Sequence, residues 1–151
     1  MRALIQRVKE SSVSINGSLH NKIGRGLLIL LGVKHGDIEL DSEYLAQRSA
    51  DLRIFEDDQG KMNLSVKDIS GEALVISQFT LYADTHKGNR PSFTDAATPE
   101  IAESLYNSFV LDLQGEIGNE KVKTGIFRAM MDIHLVNDGP VTVMIESKES
   151  K

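Results

Sequence analysis

The chain has 151 residues, 40% of them hydrophobic and 26% charged, with no cysteine and a formal net charge of −5. A chain of this length buries roughly 68–70% of the surface its unfolded form exposes, so a single domain over residues 1–151 is expected to hold a core without staples. The missing cysteine excludes a disulfide scaffold, a zinc–cysteine site and a thiol nucleophile, and the acidic balance excludes a protein that coats nucleic acid with its whole surface, while leaving room for a local basic patch.

In chain order, Met1 to Lys9 mixes apolar and charged residues and Ser12 to Ile15 alternates, so the chain opens in strands. Asn16-Gly17 predicts a two-residue hairpin, because both residues tolerate the positive φ of a type I′ turn. Leu27 to Val33 reads as a strand buried on both faces. Its apolar core, Leu27 to Leu31, is far short of the roughly 20 residues that cross a bilayer. With Arg2, Arg7 and Lys9 breaking up the start, neither a membrane span nor a signal peptide is expected.

A first helix follows, with Asp37 or Asp41 as its cap and Leu40, Tyr44, Leu45 and Leu52 near helical spacing. Ala73 to Tyr82, rich in β-branched and aromatic residues, predicts one central strand. A second helix starts at Thr98 as N-cap, with Pro99 at its first position. It carries a stripe of Ile101, Leu105 and Phe109, and Gly115 is expected to stop it. The last third returns to strands: Met131, Ile133 and Leu135 share one face, and Val141, Val143 and Ile145 alternate after a turn at Asn137 to Pro140. The expected fold is α/β and strand-dominated, a curved or barrel-like double sheet with two main helices packed on one face.

Common catalytic signatures are missing. The four histidines fit no HExxH pattern, no carboxylate cluster has metal-ligand spacing, and there is no GxxxxGK[ST] loop. Gly24-Arg25-Gly26 starts like a dinucleotide fingerprint but has Ile29 at the third glycine position and precedes a strand. Ser77, Asp84 and His86 stand in a hydrolase order, but Ser77 lies outside a GxSxG elbow.

Two segments remain. In Ser77-Gln78-Phe79-Thr80-Leu81, polar groups in an apolar strand need partners, which a strand end or a pocket wall would supply. By period two, Ser77 and Phe79 face one way and Gln78 and Thr80 the other. Asn137-Asp138-Gly139-Pro140-Val141-Thr142 is turn chemistry, yet Gly139 also permits close approach to a ligand, and a cis Gly139–Pro140 bond would turn two carbonyls outward in parallel.

Together these segments resemble the two signature motifs of the D-aminoacyl-tRNA deacylases, also called D-tyrosyl-tRNA deacylases. Ala3 to Val8, Gly60 to Leu64, Ala83-Asp84-Thr85 and Arg90 to Phe93 agree, so that the resemblance runs from Met1 to about Ile145. In one stretch the chain departs from the family pattern: a small residue, Gly or Ala, usually follows the Phe before the last strands, and here Arg128 follows Phe127.

The resemblance implies hydrolysis of the ester between a D-amino acid, or mischarged glycine, and the 3′-terminal ribose of tRNA. It implies a cytoplasmic homodimer with the site at the subunit interface and a cis Gly139–Pro140 inserted into the partner's pocket. Its partner is the aminoacylated 3′ end of tRNA; no cofactor, metal, membrane or DNA is expected. The catalytic segment would be Ser77, Gln78, Phe79 and Thr80, with Gly139, Pro140, Asn137, Met130 and Arg7 binding substrate.

Ester hydrolysis needs an activated nucleophile and a stabilised oxyanion. Thr80 offers a hydroxyl, but no base stands beside it in the sequence, and the resemblance favours assistance by the ribose 2′-OH, with N–H groups around Phe79 and Thr80 at the oxyanion. Arg7 shares strand parity with Ala3 and Ile5. It reads either as an inward brace on the Gly139–Pro140 carbonyls, as the resemblance implies, or as a surface residue at a strand end. Lys87 and Arg90 are the candidate tRNA contacts. Two rivals stand beside the deacylase: a non-catalytic nucleic-acid-binding module on the same fold, and a small-molecule esterase using Ser77 or Thr80.

Overall fold

The computed structural model describes residues 1–147; residues 148–151, the end of the expected domain, lie outside the described residues. Strand β1 (Arg2–Ile15) turns at Asn16-Gly17 into β2 (Ser18–Ile23), with φ of 51° and 79° at the two turn residues. The expected hairpin thus forms, closed by the pair Ile15 and Ser18. The apolar run becomes β3 (Gly26–Gly32), in which every residue but Leu30 is buried.

Helix α1 (Glu39–Asp51) follows, with Ile38 at the N-cap position. Neither aspartate stands there, in contrast to the expectation. Asp41 works from inside the helix, its carboxylate accepting the Ile38 N–H at 2.8 Å, while Asp37 accepts from Lys34 N–H at 2.7 Å. The small strands β4 (Phe55–Glu56) and β5 (Met62–Leu64) pair with each other, and β6 (Glu72–Ser77) rejoins the main sheet parallel to β3.

The segment expected as one strand to Tyr82 ends at Ser77, and Phe79–Tyr82 coils into a 3-10 turn. Helix α2 (Pro99–Ile117) starts after Thr98, as expected, although the Thr98 side chain makes no cap hydrogen bond. It also runs past Gly115 and stops at Gly118, whose φ of 109° suits glycine and whose N–H bonds the Gln114 carbonyl at 2.9 Å. The buried stripe is Leu105, Phe109 and Leu113; Ile101 is exposed. Strand β7 (Val122–Thr124) pairs parallel with β6, and β8 (Asp132–Glu146) runs antiparallel along nearly all of β1.

The main sheet has the order β2-β1-β3-β6-β7, with β8 on the other edge of β1. Alternation along the strands splits the apolar residues between two faces. One face, with Ala3, Ile5, Leu27, Ile29 and Val75, packs under Leu45 of α1 and Leu105, Phe109 and Leu113 of α2. Each large apolar side chain buried there contributes roughly 1.5–3 kcal/mol relative to exposure. On the other face Val8, Val13, Leu28, Leu74 and Ile76 meet Ile133 and Leu135, so the sheet curls over a second, smaller core. The expected strand-dominated, barrel-like α/β fold with both helices on one face is the observed one.

Candidate active site

The ends of two strands build the candidate site. In the first half, β6 makes its last ladder contact where Gln78 N–H bonds the Leu31 carbonyl at 2.8 Å. The chain then turns through the Phe79–Tyr82 coil. Leu81 N–H closes on the Gln78 carbonyl at 3.3 Å and Ala83 N–H on that of Thr80 at 3.1 Å. Arg2 holds the coil from outside: Nη1 donates to the Leu81 carbonyl at 2.7 Å and the guanidinium lies 4.6 Å from the centre of the Tyr82 ring. Gly32 makes room, since a Cβ there would stand 3.2 Å from the Gln78 oxygen, Leu81 and Tyr82.

The coil overturns the period-two reading of this segment. Its N–H groups at Phe79 and Thr80 open a 3-10 turn, which gives them no partner of its own. The Gln78 amide donates to the Thr80 hydroxyl, and an amide cannot take a proton from it. Phe79 is 56% exposed and stacks edge-on against Phe93 with ring centroids 5.0 Å apart. Beside them lies a largely apolar cavity of about 620 Å³, lined by Ser77, Gln78, Phe79, Phe93, Phe127 and Met130 among others. Met130 is 90% exposed.

The second half is an irregularity in β8. Asn137 pairs with Val8 and Thr142 with Gln6, so four residues, Asp138 to Val141, stand opposite Arg7 alone. The expected turn is therefore an outward loop within one strand, and β8 resumes its pairing beyond it. Asn137 ties the loop shut: its side-chain oxygen accepts from Val141 N–H at 2.8 Å and its amide donates to the Val141 carbonyl at 3.2 Å. The Gly139–Pro140 bond is cis, and both residues are exposed.

Arg7 is buried at 6% exposure. Its Nε donates to the Asp138 carbonyl at 2.7 Å and its Nη1 to the Ile54 carbonyl at 2.7 Å, with the Asp138 carboxylate 3.6 Å away. Arg7 therefore points inward and anchors the loop one residue before Gly139. Gly139 and Pro140 face a separate cavity of about 410 Å³ that Arg7, Arg25 and Met62 also line. Among the described residues the two halves thus line different cavities.

The remaining candidates sit elsewhere. Asp84 and His86 pair with each other at 2.6 Å on an exposed loop and do not line the cavity that Ser77 lines. Hydrogen bonds from the His86 backbone and ring hold the Asp84 carboxyl below the usual carboxylate range. Lys87 and Arg90 are exposed on the same loop, whose far end is pinned by Asp84–Ser92 pairing just before Phe93. Among the described residues no group of three His, Asp or Glu is placed to hold a metal ion, and no helix is long and apolar enough to cross a membrane. Phe93, Phe127 and Arg128 are among the cavity residues absent from the predicted site set.

The sequence model of the D-Tyr-tRNA(Tyr) deacylase family matches residues 4–146. The chain belongs to this D-aminoacyl-tRNA deacylase family. Its class of enzyme is hydrolase. A D-aminoacyl-tRNA deacylase of Roseiflexus castenholzii is 58% identical over 147 residues, covering 97% of this chain and 92% of that protein. One of Dictyoglomus turgidum is 52% identical over 151 residues, covering 100% of this chain and 96% of that protein.

Among solved structures, a c-Myc DNA unwinding element binding protein superposes with a TM-score of 0.94 at 42% identity, covering 98% of this chain and 99% of that one. A probable eukaryotic D-amino acid tRNA deacylase superposes with a TM-score of 0.80 at 16% identity, covering 96% and 98%, which shows a shared fold. The deacylase resemblance first carried by Ser77–Leu81 and Asn137–Thr142 thus extends along nearly the whole chain.

Proposed function

We propose that the chain hydrolyses the ester joining a D-amino acid, or mischarged glycine, to the 3′-terminal ribose of tRNA, and rejects L-aminoacyl-tRNA by main-chain exclusion. The observation that carries this reading is the outward loop of Asp138 to Val141, held by Arg7 and Asn137 and presenting Gly139 and Pro140 as exposed backbone. Rigid carbonyls at Gly139 and Pro140 would block one side of the substrate Cα whatever the side chain. Glycine, with no Cβ, passes such a filter. Exclusion by a clash discriminates more sharply than a lost methylene does.

The filter needs a second copy of the chain. Gly139 and Pro140 line a different cavity from Ser77, Phe79 and Met130, so in this reading the loop of one protomer enters the apolar cavity of its partner in a homodimer. The substrate's aminoacyl group then lies between them, against Met130 and Phe79. The N–H groups of Phe79 and Thr80 receive the developing oxyanion. Thr80 shapes the pocket, because the partner of its hydroxyl is the Gln78 amide, which is no base, and the substrate's 2′-OH assists the attacking water. The whole chain acts as one deacylase domain, in the cytoplasm, without cofactor.

The test is deacylation of D-aminoacyl-tRNA, its L-counterpart and a substrate with a 2′-deoxy terminal ribose. We expect turnover of the first, none of the second and a large loss on the third, with Thr80→Ala retaining turnover. A trapped acyl ester on Thr80 or Ser77 would favour the small-molecule esterase chemistry instead. The neighbour described as a DNA unwinding element binding protein favours a second reading, a nucleic-acid-binding module without catalysis. Tight DNA binding with no release of D-amino acid from tRNA would decide for it.

A further inference from the structure

The cavity beside Phe79 is lined by apolar and neutral polar residues and by one charged side chain, Arg128. Arg128 occupies a costly backbone position. Ala129 N–H bonds the Ile126 carbonyl at 3.2 Å, closing a turn in which Arg128 is the third residue with φ of 67°. That geometry is the type II turn, whose third position calls for positive φ and hence for glycine. A long side chain there is disfavoured by the backbone, and nothing in the packing repays it: Arg128 is exposed, and among the described residues its guanidinium has no hydrogen-bond or ion-pair partner. A strained residue without a structural reward, at the edge of a site, points to a functional one.

The chemistry of the ligand follows from position and charge. Resting on the deacylase reading, the cavity receives the aminoacyl group, and the ribose that carries the ester also carries a phosphodiester on its 5′ side. An unpaired guanidinium at the cavity lining is available to that phosphate, and Arg binds phosphate oxygens through two parallel N–H donors. The chain's overall charge of −5 repels a polyanion, which gives a single well-placed cation more weight. We propose that Arg128 is a substrate-binding residue that holds the 5′-phosphate of the terminal nucleotide of the acceptor end.

The test uses the full chain and two non-hydrolysable ligands, 3′-(D-aminoacylamino)-adenosine with and without a 5′-phosphate, titrated calorimetrically into wild type, Arg128→Gly and Arg128→Lys. Wild type should prefer the phosphorylated ligand about tenfold, as expected for one charge-assisted contact. Arg128→Gly should bind both alike, and Arg128→Lys should keep part of the preference. With D-aminoacyl-tRNA, Arg128→Gly should raise KM and reduce the slope of log (kcat/KM) against log salt by about 0.7, the share of one phosphate on a single strand. Its melting temperature should rise, since glycine relieves the turn, so a loss of binding cannot be ascribed to unfolding. A phosphate preference that survives in Arg128→Gly, or is absent from wild type, overturns the assignment. Failure of wild type to hydrolyse D-aminoacyl-tRNA would instead overturn the deacylase reading, a result the ligand titration reports separately.

Discussion

Arg7 and Asp138 are joined by a 2.7 Å hydrogen bond from the Arg7 Nε to the Asp138 main-chain oxygen, at the larger of the two points where β1 and β8 fall out of register. The same guanidinium reaches the Ile54 carbonyl at 2.7 Å. One buried side chain thus fixes the loop that presents Gly139 and Pro140 and ties it to the segment after α1.

Removing that side chain leaves two carbonyls short of a partner in a poorly solvated place. We expect Arg7→Ala to lower stability by about 3 kcal/mol, at a cost of roughly 1–3 kcal/mol per orphaned group. Arg7→Lys, which keeps the charge but not the fork, should lose about 1–2 kcal/mol. Both should lower kcat/KM for D-aminoacyl-tRNA at least about tenfold, because the loop is no longer held. Denaturant unfolding and deacylation kinetics on the same preparations check this; full activity in Arg7→Ala would show that the loop holds its shape unaided.

Gly139 tests the loop from its other side. A Cβ there would lie 2.6 Å from the Val141 nitrogen and 2.7 Å from its Cγ2, so Gly139→Ala must displace the backbone that bears the two carbonyls. Such overpacking costs about 1–3 kcal/mol. The activity loss should be the larger effect: a drop of at least about tenfold in D-aminoacyl-tRNA turnover, or a gain of activity on the L-substrate, read as the ratio of the two rates. An unchanged ratio and unchanged rates would remove the backbone filter from the mechanism.

Several of these features are legible in the sequence and several are not, for physical reasons. The apolar run of β3 and the Asn16-Gly17 hairpin are decided locally, by burial on both faces and by two residues that accept positive φ. Phe79–Tyr82 reads as strand because its residues favour strands, yet distant groups coil it: Arg2 on the Leu81 carbonyl and on the Tyr82 ring. No local pattern reports such a contact. The strand parity of Arg7 does give its inward direction, but its acceptors belong to Asp138 and Ile54, far apart in the chain. Asn137 to Pro140 carries turn chemistry correctly. What makes it a loop within one strand is pairing with β1 on both sides, which needs the whole of β1. Gly115 resembles a helix stop and is tolerated inside α2, because the geometry that ends the helix falls at Gly118.

The pair Gly24 and Gly26 separates a sheet requirement from mere turn composition. A Cβ on Gly26 would stand 1.8 Å from the Glu72 carbonyl oxygen, across the start of the parallel β3–β6 pairing, whereas nothing lies within 4 Å of a Cβ on Gly24. Gly26→Ala should therefore lose about 3 kcal/mol or more, since backbone and not a flexible side chain must move. Gly24→Ala should stay within about 0.5 kcal/mol of wild type. Denaturant midpoints of the two variants, measured side by side, decide whether the close approach is real; equal midpoints would refute it.

Tyr106 links α2 to the centre of the sheet and makes the alkaline limb of stability predictable. Its hydroxyl donates to the Val75 carbonyl at 2.7 Å in the buried interior. That oxygen keeps a second donor, Gly125 N–H at 3.4 Å, so Tyr106→Phe should cost only about 1 kcal/mol at neutral pH. Burial pushes the phenol's pKa above its ordinary range, and burial is also the largest cause of the upward shift at Tyr82. A pKa raised by folding contributes stability that is complete below the unfolded value, about 10 for tyrosine, and is lost as pH climbs from there through the folded value. The unfolding free energy should therefore show no Tyr106 contribution to its slope below pH of about 9, and should fall above about 10 by up to roughly 1.4 kcal/mol per pH unit for each buried phenol. Tyr106→Phe should remove one phenol's share of that slope while leaving Tyr82's. Urea midpoints at several pH values between neutrality and the alkaline limb measure it, and an identical alkaline slope in wild type and Tyr106→Phe would mean that Tyr106 ionises as readily in the folded chain as in the unfolded one.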